Sequence, residues 1–429
     1  MKLKSHITSL YGLARWYQIM RDCKSYHKFN RSLLLSTEAF CLLDNKLWYS
    51  AGELPVLCCF DMNTKENKFI DYFPMTEIND YYIHSNALFI NDKIVFMPGF
   101  KNLVHIFDIN NKKINVIKIP TDEKYVFFKC GFFYKDFIYI LLDVPKLTIY
   151  KVDLKNNTVE PLNINFNKYN REVANNAVIV DNYLFLGARY ANLIGILDLD
   201  KMNISWRQVE NLENGVGTIA YDGNYFWLSS TDRIIKWNET IGTAKIYTEF
   251  PDNYGTYYLN NKILQIHKGF SNFGDKSAFP FCGSEFLNGS IYFFPRTVNM
   301  SLFIDNQDII KTLILNDEEE TAASFGSNAR ERITHYFVHK ITDKIMMSSS
   351  CSGKFYIIDD KSNIFEYKLL INENDLIKYF KDYLNGNLIE RLSIYTLDNY
   401  LNFININNSV VGKTINELCG KTIYNKIIK

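Results

Sequence analysis

The chain has 429 residues, 47% apolar and 15% aromatic, with 9 Pro and 20 Gly, so it can bury a large core and is not a disordered polypeptide. Lys plus Arg number 48 against 47 for Asp plus Glu, a balance that leaves no global field for nucleic acid or an anionic membrane and excludes a non-specific polyanion binder. The length fits two or three ordinary domains or one repeat array, and internal repetition decides between them.

Residues 1–36 carry Lys2, Lys4, Arg15, Arg21, Lys24, Lys28 and Arg31 against Asp22, and Leu10, Leu13, Trp16, Tyr17 and Met20 fall on one side of an expected helix. The basic face is either simply solvated or a contact for an anionic partner. Polar residues interrupt the start, which has no apolar h-region and no small-residue cleavage site, so a secretory signal is not expected.

From residue 37 onward two marks recur. Tight polar turns separate apolar runs at Asp44-Asn45, Asn91-Asp92, Lys135-Asp136, Asp181-Asn182, Asp222-Gly223, Asn288-Gly289 and Thr342-Asp343. Apolar strands then end at Asp61, Asp108, Asp153, Asp198, Asn238, Asp305 and Asp359, which lie 16, 16, 17, 16, 15, 16 and 16 residues after the second residue of their turns. The run ALFINDKIVFMPGFKNLVHIFDINNKKINVIKIP, Ala87 to Pro120, shows the unit plainly as four strands joined by turn, loop and turn. Each strand-ending Asp or Asn is expected to accept backbone N–H groups in an Asx turn.

Four short antiparallel strands per unit match the blade of a β-propeller, an all-β ring in which neighbouring blades cover one another's faces. Seven blades are expected over residues 37–371, with six or eight as alternatives, because the hairpin-like run YYLNNKILQIH at Tyr257–His267 is either an insertion or half of a further blade. Beyond it, Leu376, Ile377, Phe380, Tyr383 and Leu384 recur at helical spacing, so residues 372–429 read as a helical extension matching 1–36.

In this periodicity residues 37–371 resemble the kelch, YncE-like and WD-type propeller superfamilies. The kelch Gly-Gly doublet and the Gly-His with Trp-Asp signature are both missing, so no site residue carries over. The segments DGNYFWLSS, TDRIIKWN, NMSLFID and GKTIYNKII look like propeller proteins of AT-rich Gram-positive anaerobes. Such proteins often accompany cell-surface polysaccharide genes, and through this resemblance a glycan becomes an expected partner.

Cys23, Cys41, Cys58, Cys59, Cys130, Cys282, Cys351 and Cys419 form no Cys-x-x-Cys pair and meet no His at ligand spacing; no metal or cofactor is expected, and a reducing cytoplasmic setting is. No apolar run approaches the ~18 residues of a membrane span. Nucleophile-elbow, Walker, dinucleotide and zincin motifs are all missing from the sequence, and Gly215 and Gly217 precede a strand, which does not make a phosphate cradle.

Propeller geometry sends the short turns to one rim and the variable loops to the other, where function is expected. The residues predicted on the loop rim include Glu53, Lys101, Asn102, Arg171, Glu172, Arg189, Tyr190, Arg296, Asn299, Arg330 and Arg332, with His84 and His335 starting strands near it. Arg189 with Tyr190, and Arg296, suit a carboxylate, phosphate or sugar through a guanidinium fork and a stacking face. Asn102, Asn192 and Asn299 read as left-handed turn residues. Four residues before each hairpin reference stand Cys41, Leu88, Phe132, Val178, Ile219, Glu285 and His339; the last two are titratable and in adjacent units, either an acid–base pair or a buried structural one.

Three functions follow as expectations. The first is a non-catalytic platform recognising a protein or glycan through the loop rim. The second is an enzyme acting on carbohydrate or peptide through Glu285 and His339. The third is a scaffold docking through its ends.

Overall fold

In the computed structural model the described residues are 32–372, except 53, 77–79, 81, 122–126, 145, 167, 252–253, 259–261, 266–278, 297, 299, 314, 316–335 and 350–353. Seven four-stranded antiparallel sheets follow one another along the chain, each with its strands in sequence order. They are blades 1 to 7, at 39–72, 84–118, 127–161, 173–208, 218–247, 281–313 and 336–368. The all-β seven-bladed propeller is therefore the fold. Of the expected helical extensions, 1–36 and 372–429, residues 1–31 and 373–429 lie outside the described residues, whereas Ser32–Leu34 and Asn372 belong to strands.

The ring exists because each sheet is apolar on both faces. In the strand Lys93–Pro98, Ile94 and Phe96 pack with Ala39, Cys41 and Leu57 of blade 1, while Val95 and Met97 pack with Phe128, Ile138 and Ile140 of blade 3. A period-2 strand thus serves two cores at once, which explains why KIVFMP reads as continuously hydrophobic. Seven such cores occur, one at each junction, including that of blade 7 with blade 1 (Met346, Phe355 and Ile357 against Phe40, Leu47 and Tyr49). Full burial of one such side chain stabilises by ~1.5–3 kcal/mol, more than a turn propensity contributes, so sideways packing sets the architecture.

The hairpin turns use the backbone that their residues favour. Asp44 and Asn45, Asn91 and Asp92, and Asn288 and Gly289 have positive φ at both positions, and Lys135, Asp181 and Thr342 at the first. Every strand-ending Asp or Asn makes the expected Asx turn: Asp61 accepts from the amides of Asn63 and Thr64, and Asp359 from those of Lys361 and Asn363, with Asp108, Asp153, Asp198, Asn238 and Asp305 alike. Asn102 and Asn192 depart from expectation. Neither has positive φ; their carbonyls accept from the amides of Ile119 and Val209, pinning the outermost strand.

The extra hairpin, Gly255–Tyr258 with Lys262–Gln265, is a separate two-stranded sheet, which leaves the ring at seven blades. Closure is reinforced by a ribbon in which Ser32–Leu34 pairs with Leu370–Asn372. The Thr37 amide donates to Ser348 Oγ at 3.0 Å, and His339 Nε2 donates to the Glu38 carbonyl at 2.8 Å. Among the described residues no helix is long and apolar enough to cross a membrane.

One polar chain runs through the junction of blades 1 and 2. His105 Nε2 lies 2.8 Å from the Pro74 carbonyl, His105 Nδ1 lies 2.8 Å from His84 Nε2, and His84 Nδ1 lies 2.8 Å from Ser50 Oγ. A carbonyl only accepts, so His105 carries its proton on Nε2, His84 on Nε2, and the Ser50 hydroxyl donates. All three side chains are buried and Phe73 packs against both imidazoles. The chain is complete only while both rings are neutral. Burial lowers His84 well below the usual histidine value, with the neighbouring His105 adding to it, and burial lowers His105 to about 4.

The unfolded chain therefore binds these protons before the folded one does. Stability is expected to be full above the ordinary value of ~6.5 and to fall as pH drops toward ~4, with the His105 share about 3 kcal/mol once both states are protonated. Denaturant midpoints across this range test it. His105→Gln should flatten the slope, and a wild-type midpoint unchanged from ~6.5 to ~4 would contradict the buried neutral chain.

Candidate functional site at the loop-rim channel mouth

Strand order places the starts of the innermost strands and the loops between second and third strands on one rim. Several ionisable side chains gather there. Glu38 precedes Ala39–Leu43, Lys129 lies near the start of Phe127–Tyr134, and Asp143 lies near the end of Phe137–Val144. Glu172 precedes Val173–Val180, Arg189 and Tyr190 follow Tyr183–Ala188, and Arg296 follows Ser290–Pro295.

Blades 3 and 4 supply the best-defined part. Lys129 Nζ stands 3.8 Å from Asp143 Oδ2, with 7% and 1% of the two side chains exposed, and Asp143 Oδ1 accepts from the Val173 amide at 2.9 Å, which ties the pair to the next blade. Arg189 Nε stands 3.7 Å from Glu172 Oε2, and its guanidinium lies 5.0 Å from the Phe279 ring, a cation–π contact that holds the fork in place. Both of these ion-pair distances exceed hydrogen-bond length, so these two contacts act through charge.

The loop bearing Arg189 is built by its backbone. The Arg189 amide donates to the Glu172 carbonyl at 3.0 Å; the Tyr169 hydroxyl donates to that same carbonyl at 2.6 Å and accepts from the Tyr190 amide at 3.1 Å. The Tyr190 hydroxyl reaches Glu172 Oε2 at 3.3 Å. Gly215, at φ +85, passes so close that a Cβ would overlap the Arg189 carbonyl, while Val216 donates to Ala188. Gly215 therefore seats this loop, the structural reason for a glycine that the sequence excluded from phosphate binding.

Burial dominates the electrostatics. It pushes Lys129 down to about 8; Asp143 opposes the shift, and the charges of Arg189 and Arg296 add to it. Glu38 is pushed up to about 8 by burial, with Lys129 pulling it back. Asp143 is raised by burial, partly offset by Lys129. Arg296 is lowered, first by burial and then by Arg189. Three cations thus lie within one another's fields in a medium of low dielectric.

The structure brings Arg189, Tyr190, Glu172 and Arg296 into this one group. Arg171 is exposed on the same rim, and Lys101 pairs with Asp80 at 2.8 Å. His84, expected to line the mouth, is instead enclosed in the polar chain with Ser50 and His105. Glu53, Asn299, His335, Arg330 and Arg332 lie outside the described residues.

Glu285 and His339 receive separate partners. Burial pushes Glu285 up to about 7, with Lys340 pulling it back, whereas His339 bonds the Glu38 carbonyl and packs edge-on to Phe40 at 4.8 Å. No hydrogen bond or ion pair joins the two. Sequence reasoning missed Lys129, Asp143 and Glu38. The readable signal was a charge inside the apolar strands FFKCGFFY and FIYILLDV, where an ion persists only with compensation.

Among the described residues no group of three or more His, Cys, Asp or Glu side chains could hold a metal. No family model and no curated protein sequence matches the chain. Among solved structures, the virginiamycin B lyase of Staphylococcus aureus is similar at 12% identity and TM-score 0.50, covering 75% of this chain and 96% of that one. A catalytically inactive form of that lyase with quinupristin gives 12% and 0.51 over the same shares. A streptogramin B lyase gives 14% and 0.50, over 80% and 96%. These likenesses show the propeller fold.

Gly215→Ala is expected to lower stability by about 2 kcal/mol, through its left-handed backbone and its overlap with Arg189. Denaturant titration measures this, and a change below ~0.5 kcal/mol would mean that the contact is not constraining.

Proposed function

We propose that the protein is a recognition platform that takes a protein or glycan partner on its loop rim, at the mouth of the propeller channel. The observation that carries this reading is the difference between the two rims. On the turn rim the carboxylates of the strand-ending aspartates are engaged by their own backbone. On the loop rim, blades 3, 4 and 6 and the entry to blade 1 direct Lys129, Asp143, Glu172, Arg189, Arg296 and Glu38 to one place. A gathering of buried charge on one rim suits binding better than stability.

Aromatic surface lies beside them: Phe100 and Tyr190, both from loops of this rim, are 51% and 46% exposed. Exposed rings stack on sugar faces and on apolar side chains alike. Cys41, Cys58, Cys59, Cys130 and Cys282 form no disulfide among the described residues.

A second reading, an enzyme acting on carbohydrate or peptide, is favoured by one feature. Glu285 on an innermost strand is held at about 7, a value suited to general acid–base work at neutral pH.

Glycan and peptide arrays probed with the full chain test the platform. The combined variant Arg189→Ala, Tyr190→Ala and Arg296→Ala should lose at least ~90% of the signal on whichever array is bound, since truncating one buried charged contact costs ~2–5 kcal/mol. Undiminished binding by a folded variant would reject this rim. For the enzyme, turnover of any array substrate should fall ~100-fold or more in Glu285→Gln if that carboxyl transfers a proton, and unchanged turnover would remove it from the chemistry.

A further inference from the structure

We infer that the channel mouth on the turn rim binds a small organic ammonium with an apolar body, its cation received by Glu285. The inference goes beyond the loop-rim reading and depends on other residues.

The innermost strand of each blade ends at this mouth. Its penultimate residue in blades 1, 2, 3, 4, 6 and 7 is Leu42, Phe89, Phe133, Ile179, Phe286 and Lys340. Each pairs across its hairpin with a residue of the core shared with the preceding blade, as Phe89 does with Ile94 and Phe133 with Ile138, so the six side chains lie on equivalent faces around the axis. Five of them are apolar, and 40% of Phe89, 42% of Phe133 and 38% of Ile179 is exposed.

Two residues deeper on the same faces stand Ala87, Gly131, Ala177 and Ser284. Neighbouring strands crowd there; a Cβ on Gly131 would overlap the Met97 side chain. Large side chains thus gather only where the crowding ends, as an apolar collar that sideways packing leaves facing water.

One residue inside the collar, Glu285 pairs with Tyr292 of the core shared with blade 7 and is turned to that side. It is part-buried, and among the described residues no hydrogen bond or ion pair reaches its carboxyl. A carboxyl in that position gains from a donor that carries positive charge. Lys340 shows the fit: its ammonium lies 5.7 Å from the Phe286 ring centroid and its field pulls Glu285 toward the charged form. Lys340 is itself exposed, so its head can turn to water. A ligand ammonium takes the same place, and its apolar body covers Phe89, Phe133 and Ile179. An anion would be repelled by Glu285, and a wholly apolar ligand would leave it unpaired. The acid lies inside the ring of edges, one residue deep, where a small molecule enters end-on.

Burial holds Glu285 at about 7, so raising pH through that value makes it an anion, while an alkyl ammonium keeps its proton to ~10. The titratable groups on the strands packed against it are Lys340, His339, Tyr336, Lys344, Tyr292, Cys282 and Tyr221. Among these, Lys340 is the one whose charge acts on Glu285. Affinity should rise with pH.

Calorimetry on the full chain tests this with phenethylammonium as the probe. Its controls are 2-phenylethanol as the neutral isostere, 3-phenylpropionate as the anion and methylammonium as the cation without an apolar body. Phenethylammonium should bind at or below about 10 mM, with each control ~10-fold weaker or worse. Glu285→Gln should weaken it ~10-fold or more, Phe133→Ala ~3-fold or more, and Ile364→Ala, at an exposed position of an outermost strand, less than ~2-fold. Lys340→Met removes a competing cation and should tighten binding ~3-fold, and a change from about pH 6 to about pH 8 should tighten it ~10-fold.

If Glu285→Gln does not fold, Lys340→Met decides, and weaker or unchanged binding there would overturn the inference. So would absent phenethylammonium binding, equal binding of 2-phenylethanol or 3-phenylpropionate, or full affinity in a folded Glu285→Gln variant. Nα-Acetyllysinamide bound ~10-fold tighter than phenethylammonium would assign the mouth to a lysine of a partner chain and reject the small molecule. The Arg189, Tyr190 and Arg296 triple variant should keep phenethylammonium binding, so this inference and the loop-rim platform can each fail alone.

Discussion

Sideways burial of strand faces is the constraint on which the rest of this molecule depends. A sheet with Ile94 and Phe96 on one face and Val95 and Met97 on the other cannot stand in water alone, because each face needs a neighbour. A chain of such sheets satisfies every member only if the last meets the first. Blade 7 does so through Met346, Phe355 and Ile357 against blade 1, and the ribbon of Ser32–Leu34 with Leu370–Asn372 reinforces that junction. Ring closure is thus a consequence of two-faced hydrophobicity, and the polar turns are adapted to it rather than its cause.

Closure then separates two kinds of surface. Turns between first and second strands have room for two residues, and Asp, Asn and Gly fill them with the left-handed backbone that such hairpins need. The strand-ending aspartates accept from their own chain, so their carboxyl groups are held below the usual range with backbone amides as a leading cause. That rim is chemically occupied. The loops opposite are free of this geometric demand and collect the side chains that a packed sheet excludes.

Much of this was legible in the chain itself. The intervals between turn and strand end located every blade, and the Asx turns occur at all seven positions. These are local patterns, written within some twenty residues. Arg189, Tyr190 and Arg296 could be placed on the loop rim because loop position follows from strand order. What the sequence hid was who meets whom across blades. Lys129 and Asp143 come from the first two strands of one blade, yet the charges acting on Lys129 include Glu172 and Arg189 of the next and Arg296 of the sixth. His105, in the third strand of its blade, completes a chain from Ser50 through His84 to Pro74, and no spacing rule predicts that four-part path. Glu285 and His339 show the converse: equivalent positions in adjacent blades do not meet when a nearer acceptor, here the Glu38 carbonyl, captures one of them.

The charged mouth also explains why no motif announced a function. A site assembled from single residues of several blades has its geometry guaranteed by the ring, not by neighbours in sequence. Lys129 is set in a strand of a packed blade, within the fields of Arg189 and Arg296. Burial together with those fields holds Lys129 low, and burial holds Glu38 high. The hydrophobic force that closes the ring is therefore what keeps the cations crowded.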